Sequence, residues 1–422
     1  MNATVFPGIS GGTIDSIPSK SFAHRLLILA AFSDRPCDII CTGSSDDIEA
    51  TAECLRALGA GIEKNGGLFR ITPVSSLPPS PELDCRESGS TYRFMLPVCA
   101  AKGTPAAFKL KGRLAERPMG PLFDILEQNG VTIERPSGDK VSISGALKGD
   151  RYTVRGDISS QFITGLMLAA PVMNRNITID ITGELSSSGY VDITAAALDC
   201  FGIKSSVLST RIEVCGASGI KSPGTAEVEG DWSNAAFMIA ACAAAGKDIE
   251  IKGLNRSSVQ GDRRIVGILK SFGCSVTLTE DVLSVHTENL IPAYIDAENI
   301  PDLVPAIAVL ACAAKGTSHI EGIARLKLKE SDRIRSVSEG LGSLGADIMA
   351  SDSSMTIKGT GILKGGTVDS FNDHRIVMMA AAASSLCGSP VLIKGAEAVS
   401  KSYPGFFEDA GLLGLKYHLE ER

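Results

Sequence analysis

The chain has no surplus of positive charge, no long apolar run and no paired cysteines, and each absence narrows what it can be. Lys and Arg number 41 against 48 Asp and Glu, a net charge of −7, which argues against a nucleic-acid partner. No apolar stretch reaches the roughly 18 residues that a membrane helix needs. The opening M-N-A-T-V-F-P-G lacks the basic and apolar regions of a signal peptide. The eleven cysteines are odd in number and scattered, several inside apolar runs (Cys99, Cys200, Cys242, Cys312). With no C-x-x-C pair, neither a zinc site nor a disulfide framework is suggested. A reducing cytoplasm is the expected location. No Walker A spacing and no dinucleotide fingerprint is present, and we expect neither metal nor cofactor.

What is there is a repeat. At 422 residues the chain exceeds one ordinary core and suggests about two domains. One phrase, an apolar helix end followed by Gly and a strand, recurs at Gly59, Gly130, Gly202, Gly273 and Gly345, at intervals of 71, 72, 71 and 72. A degenerate sixth copy lies near Gly411. A second phrase, an Ala-rich helix then a short strand ending in Gly, marks Gly43, Gly112, Gly183, Gly253, Gly322 and Gly395. Glycine suits both places, because the left-handed residue that ends many helices is cheap only for Gly. Each unit of about 70 residues holds two helices and several short strands, too long for a helical solenoid repeat and too helical for a propeller blade. Helices such as A-A-F-M-I-A-A-C-A-A-A are apolar nearly all round, as buried helices are. The predicted architecture is therefore α/β: two barrel-like, inside-out domains of three units each, helices inside and sheets outside. The break is expected near V-E-G-D-W-S (228–233), with 19–228 in one domain and 1–18 plus 229–422 in the other.

The polar residues that interrupt this pattern gather at helix starts, where free N–H groups and the helix dipole favour anions. R-L-K-L-K-E-S-D-R-I-R (325–335) sets Lys329, Glu330, Asp332 and Arg333 nearly side by side, with Ser331 or Asp332 available as a cap. P-S-K-S-F-A-H-R (18–25) brings Lys20, Ser21 and Arg25 to another start, capped by Ser19 or Ser21. C-R-E-S-G-S-T-Y-R (85–93) centres on Gly89, where small residues allow close backbone approach. Arg117 precedes Pro118, so its backbone is extended and its side chain reaches out from a loop with a bidentate fork. G-D-I-S-S-Q (156–161) offers Ser159, Ser160 and Gln161 as a neutral hydrogen-bonding floor. Asp302 stands alone in the proline-bracketed N-I-P-D-L-V-P, as a cap or as a base. His374 and Arg375 precede the most apolar helix of the chain, and Lys401 follows in S-K-S-Y-P-G-F. Each run also reads as an ordinary capped helix with surface cations. Together, seven cations (Lys20, Arg25, Arg117, Lys329, Arg333, Arg375, Lys401) on an acidic chain point to strongly anionic ligands, with Asp302, Glu330 and His374 for proton work. Group transfer between small phosphorylated or carboxylated substrates fits that set.

Taken in order, P-S-K-S-x-x-x-R, E-R-P-M-G, G-D-I-S-S-Q-F, V-E-G-D-W-S, Q-G-D, K-E-S-D-R and N-D-H-R make the chain resemble the 5-enolpyruvylshikimate-3-phosphate (EPSP) synthase family over essentially its whole length. That family has two inside-out α/β domains with the active site between them. It moves the enolpyruvyl group of phosphoenolpyruvate (PEP) onto the 5-hydroxyl of shikimate 3-phosphate and releases phosphate, a step towards chorismate and the aromatic amino acids. The resemblance implies that Ser21, Arg25, Ser159, Ser160, Ser187 and Tyr190 hold shikimate 3-phosphate, with Lys329 and Asp302 on its hydroxyls. Lys20 and Gln161 would touch both substrates, and Gly89, Arg117, Arg333, Arg375 and Lys401 would hold PEP. Asp302, with Lys20 nearby, would take the proton of the 5-hydroxyl. Glu330 would protonate the PEP methylene carbon, and His374 would orient or relay.

The chain departs from the family pattern at Glu87, where Asn is common, at Arg93-Phe94, where Arg-Pro is common, and at Arg325, where Asn commonly touches substrate. Those changes leave open the shape around Gly89 and the response to PEP mimics such as glyphosate. The sister UDP-N-acetylglucosamine enolpyruvyl transferases share fold and donor but carry a Cys in the loop matching 113–119, which here reads R-L-A-E-R-P-M. A non-catalytic repeat scaffold would spread its polar residues evenly over helix starts, unlike the acid–cation clustering seen here. The expected partners are the two small substrates alone, with no nucleic acid or membrane, and a monomeric state is expected.

Overall fold

The computed structural model describes residues 1–421. The chain divides into two units, Pro18–Val228 and the discontinuous Met1–Ile17 with Glu229–Arg422. Each has its own apolar core. Six four-stranded sheets are formed, three in each unit.

All six sheets share one pattern. An outer strand pairs parallel with the next, which pairs antiparallel with a third, which pairs antiparallel with a fourth. In Pro18–Val228 the sheet of the first repeat is completed by the last strand of the unit: Thr225–Glu227 runs parallel to Cys37–Ile40, followed by Leu68–Thr72 and Gly61–Asn65. The other unit borrows from the start of the chain. Gly12–Asp15 runs parallel to Ile249–Lys252, and Asn2–Val5 lies between Val391–Lys394 and Tyr417–Glu420. The repeat periodicity thus reappears as six sheets, with strands distant in sequence closing two of the three sheets in one unit and one in the other.

The helices of Pro18–Val228 are α1 (Lys20–Ala31), α2 (Asp46–Ala57), α3 (Gly89–Lys102), α4 (Gly120–Gln128), α5 (Ser160–Val172) and α6 (Gly189–Cys200). Those of the other unit are α7 (Trp232–Ala244), α8 (Ile265–Ser271), α9 (Val304–Ala313), α10 (Arg333–Ser343), α11 (His374–Ala383) and α12 (Phe406–Leu412). Odd-numbered helices are buried nearly all round: every residue of α9 and α11 is buried, and all of α5 but Gln161. Even-numbered helices are amphipathic, with polar outer faces, as in α2 and α10. Strands alternate buried and accessible residues, as in Arg151–Arg155, so each sheet covers a core with one face. Within each unit, helices are inside and sheets outside.

The caps explain where the inner helices begin. Ser19, Ser88, Ser159, Asp231 and Asp373 cap α1, α3, α5, α7 and α11, each side-chain oxygen accepting a backbone N–H of the first turn. Short 3₁₀ turns, Gly112–Glu116, Ala324–Leu328 and Ala396–Lys401, come before or lead into the even-helix segments. The polar runs singled out from sequence therefore occupy two kinds of position, the starts of inner helices and the turns that precede outer ones.

Candidate active site

In the discontinuous unit the buried guanidinium of Arg333, at the first turn of α10, organises three carboxylates. Its Nη1 donates to Asp302 Oδ1 at 2.7 Å, its Nη2 to Glu330 Oε2 at 2.5 Å, and its Nε to Asp373 Oδ2 at 2.8 Å. Those acids outweigh the cost of burial and hold the Arg333 pKa above its ordinary value. Asp302 is also reached by Arg375, whose Nη2 lies 3.0 Å from Oδ2, and by Lys329, whose Nζ is 3.4 Å from Oδ1. Burial lowers the Lys329 pKa, against the pull of Asp302. Lys401 Nζ donates to the carbonyl of Asn372 at 2.6 Å, and His374 Nδ1 lies 3.8 Å from Asp373 Oδ1. Asp302, Lys329, Glu330, Arg333, His374, Arg375 and Lys401 thus form one continuous cluster.

Three details differ from or sharpen the reading of the sequence. Asp302 is no helix cap: it lies in the 3₁₀ turn Pro301–Leu303, and α9 starts without a side-chain cap. Its carboxylate faces cations instead. Asp332, not Ser331, caps α10, while Ser331 donates to Asp373 Oδ2 at 2.9 Å. Glu330 accepts a hydrogen bond from Arg333.

In Pro18–Val228 the candidates form two groups joined through α5. Arg25 is buried. Its Nε donates to Thr194 Oγ1 at 2.8 Å, Nη1 to the Ser21 carbonyl at 2.6 Å, and Nη2 to the Tyr190 carbonyl at 3.0 Å and Thr164 Oγ1 at 3.2 Å. Burial pushes its pKa down to about 9, which leaves it charged at neutral pH. Arg25 thereby ties Ser21 on α1, Thr164 on α5 and Tyr190 on α6. Ser187, just before α6, is buried in a left-handed conformation. Ser159 caps α5, and Ser160 is buried at its first turn. The second group surrounds Gln161: Nε2 donates to Ser90 Oγ at 2.9 Å, and Oε1 accepts from Arg93 Nη1 at 2.6 Å. Gly89 opens α3 so closely against Arg117 that an added Cβ would lie 2.5 Å from Nη1. Arg117 has extended backbone, φ −70° and ψ 141°, as its place before proline requires. Lys20 Nζ pairs with Asp47 at 2.7 Å, across to the first turn of α2.

Sequence reasoning gave no role to Asp373, Arg93 or Asp47. Asp373 had a signal, since an Asp directly before an apolar helix and a His-Arg pair is a cap whose second oxygen must be satisfied. Arg93 also had one, as a charge inside an otherwise apolar helix. Asp47 had none. A third polar knot, around the start of α7, also went unassigned. Gln260 Nε2 donates to Glu229 Oε1 at 2.6 Å and to the Gly230 carbonyl at 2.7 Å, and Ser233 hydrogen-bonds Asp262. Burial, and then the nearby Asp302 carboxylate, push Asp262 up to about 7. Among the described residues no group of His, Cys, Asp and Glu is arranged to hold a metal ion, and no helix is long and apolar enough to cross a membrane.

The EPSP synthase (3-phosphoshikimate 1-carboxyvinyltransferase) family model matches residues 9–410. A 3-phosphoshikimate 1-carboxyvinyltransferase of Clostridium kluyveri is 41% identical over 405 residues, 96% of this chain and 95% of that one. Another, from Clostridium perfringens, is 38% identical over 415 residues, 97% of each. Among solved structures, an EPSP synthase from Acinetobacter baumannii superposes with a TM-score of 0.81 at 24% identity, covering 99% of this chain and 100% of that one. The enolpyruvyl transferase NikO from Streptomyces tendae gives 0.78 at 17% identity, covering 99% and 98%. At those identities the structures establish a shared fold, the two-domain inside-out α/β architecture. The near-complete family match and the clostridial relatives go further: the chain belongs to the EPSP synthase family, the 3-phosphoshikimate 1-carboxyvinyltransferases.

Proposed function

We propose that the Arg333-centred cluster and the Gln161 and Arg25 groups serve one reaction, the transfer of the enolpyruvyl group of PEP to the 5-hydroxyl of shikimate 3-phosphate in the shikimate pathway. The observation that carries this reading is the meeting of Asp302 and Glu330, two carboxylates from separate segments of the chain, on one buried guanidinium with Lys329 and Arg375 at hand. Two acids held among cations can divide proton work while anionic substrates are bound beside them. Asp302 takes the proton of the 5-hydroxyl, whose oxygen attacks C2 of PEP. Glu330 gives its proton to C3, turning the methylene into a methyl group, and a tetrahedral intermediate results. Glu330 then removes a proton from that methyl group as the bond from C2 to the phosphate oxygen breaks. Phosphate leaves and the enol ether remains.

Ser21, Arg25, Ser159, Ser160, Ser187 and Tyr190 hold shikimate 3-phosphate, with Lys329 on its hydroxyls. Gly89, Arg117, Arg333, Arg375 and Lys401 hold PEP, Lys20 and Gln161 touch both, and His374 orients or relays. Four serine hydroxyls and the backbone of helix starts suit a phosphate monoester, while forked arginines suit a carboxylate beside a phosphate. The protein acts as a cytoplasmic monomer. The test is phosphate release from PEP with shikimate 3-phosphate or a UDP-sugar as acceptor. Release with shikimate 3-phosphate alone is expected. Release only with the UDP-sugar would move the chain to the sister activity, and release with neither acceptor would refute transferase function.

A further inference from the structure

A chain of four buried side chains links three helix starts in Pro18–Val228, and no step of the reaction uses it. His24 Nδ1 lies 2.7 Å from Thr51 Oγ1, and Thr51 Oγ1 lies 2.7 Å from Thr91 Oγ1. Thr91 Oγ1 lies 2.8 Å from Ser88 Oγ, with the Asp47 carbonyl a longer 3.4 Å away. All four residues are inaccessible to solvent. His24 is on α1, one residue before Arg25 and one turn after Lys20. Thr51 is on α2, one turn after Asp47, the partner of Lys20. Thr91 and Ser88 belong to the first turn and cap of α3, with Gly89 between them.

The direction of the chain is fixed at Thr91, whose hydroxyl donates to Ser88 Oγ and so accepts from Thr51. His24 Nε2 is buried and without a hydrogen-bond partner. A bare lone pair costs less there than an orphaned N–H, so the proton belongs on Nδ1 and is donated to Thr51. Thr51 then gives its hydroxyl proton to Thr91, and Thr91 to Ser88. Ser88 Oγ also accepts the Thr91 backbone N–H at 3.3 Å, closing the α3 cap. A charged imidazole would add a second N–H with no acceptor, beside Lys20 and Arg25. Burial, then those two cations, hold the His24 pKa well below its ordinary value. The ring is a fixed neutral donor, packed edge-on against Phe94 at 6.2 Å between centroids.

We infer that His24 is a positioning residue, which acts through Thr51 and Thr91 to set Ser88 and the Gly89 start of α3 against the Lys20 start of α1. Removing a link leaves buried groups unsatisfied on both sides, and the helix starts then relax apart. The Gly89 backbone and the Arg117 guanidinium are packed with no room between them, so a shift of a few tenths of an ångström at α3 is felt at Arg117. Ser21 and Tyr190, on the shikimate 3-phosphate side, are tied together separately, through Arg25. The effect therefore falls on PEP.

This inference rests on the assignment of Gly89 and Arg117 to PEP, and the experiment separates the two. Steady-state kinetics with both substrates are compared for the unaltered enzyme, Thr51→Val, which keeps shape and loses the hydroxyl, and Thr51→Ser, which keeps the hydroxyl. In Thr51→Val the KM for PEP is expected to rise about tenfold, with the KM for shikimate 3-phosphate nearly unchanged, and Thr51→Ser is expected to restore it. A Thr51→Val enzyme with a lower melting temperature but unaltered KM for PEP would overturn the inference and leave the chain a structural device. If the unaltered enzyme fails to turn over PEP, the functional assignment itself is at fault. Should Thr51→Val not fold, nitrogen-15 spectra of histidine-labelled unaltered enzyme decide, with the His24 signals assigned by their loss in His24→Gln. A neutral Nδ1–H tautomer that does not titrate between about pH 5 and 8 is expected. An Nε2–H tautomer, or titration in that range, would overturn the proposal.

Discussion

At the scale of single residues, the cluster around Arg333 holds more negative charge close together than the core would tolerate without it. Asp302, Glu330 and Asp373 all bond the one guanidinium. The same balance assigns the acids different tasks. Asp373 is wholly buried and is taken up by Arg333, Ser331 and the α11 cap, so it builds the site, whereas Asp302 and Glu330 remain partly accessible. Glu330→Gln keeps the shape and a hydrogen-bonding oxygen but supplies no proton. Its turnover should fall by about 10²- to 10⁴-fold with PEP affinity nearly kept, measured as phosphate release and by PEP titration. A rate near that of the unaltered enzyme would remove Glu330 from its role. Asp262 allows a second prediction. Its pKa is raised from 3.8 to about 7 in the fold, so the folded state holds a proton that the unfolded chain has already lost. The unfolded state binds fewer protons over that window, and stability declines as pH rises from about 4 to 7. Asp262→Asn should flatten this part of the stability–pH curve in urea titrations. An unchanged slope would show that other groups carry it.

At the scale of elements, the proposed function is expected to depend on how closely the inner helices of each unit approach. α3 and α5 touch where Gly165 faces α3: an added Cβ would lie 2.5 Å from the Arg93 carbonyl and 2.9 Å from Pro97 Cγ. Neither neighbour can give way easily, one being backbone and the other a ring. Gly165→Ala should therefore cost about 1–3 kcal/mol in urea unfolding, as overpacked cores do. It should also raise the KM for PEP, because the bonds from Gln161 to Ser90 and Arg93 cross the same contact. Loss of stability with unaltered KM would uncouple the helix spacing from the site. The caps matter for the same reason. They fix where α1, α3, α5, α7 and α11 begin, and Lys20, Gly89, Ser160, Gln161, His374 and Arg375 lie in the first turns so fixed.

At the scale of the whole molecule, the two units differ in how they are built from the chain. Pro18–Val228 contains every strand of its three sheets, including Thr225–Glu227, which closes the first. Residues 229–421 lack Asn2–Val5, an interior strand of one sheet, and Gly12–Asp15, the edge of another. A fragment of residues 18–228 should fold cooperatively by circular dichroism and urea titration. A fragment beginning at 229 should not, unless residues 1–17 are joined to it. Neither fragment should release phosphate from PEP, since the proposed substrate residues are divided between them. Cooperative folding of the fragment from 229 alone would show that the borrowed strands are dispensable.

Much of this was legible in the amino-acid order. The spacing of five glycines, Gly59 to Gly345, at 71 or 72 residues marks the repeats, because helix ends and turns require left-handed backbone at fixed places. The apolar character of the inner helices marks their burial, and short polar runs such as K-E-S-D-R and N-D-H-R mark the family. The tertiary structure decided which of those polar groups meet. Arg333 and Asp302 are 31 residues apart, Arg375 and Asp302 73, and Arg25 and Thr194 169. A carboxylate's role as cap, partner or acid is set by the charges around it in space, which local sequence cannot specify. So Asp302 read equally as cap or base until its cations were located, and the hydrogen-bond chain from His24 to Ser88 left no mark on local sequence at all.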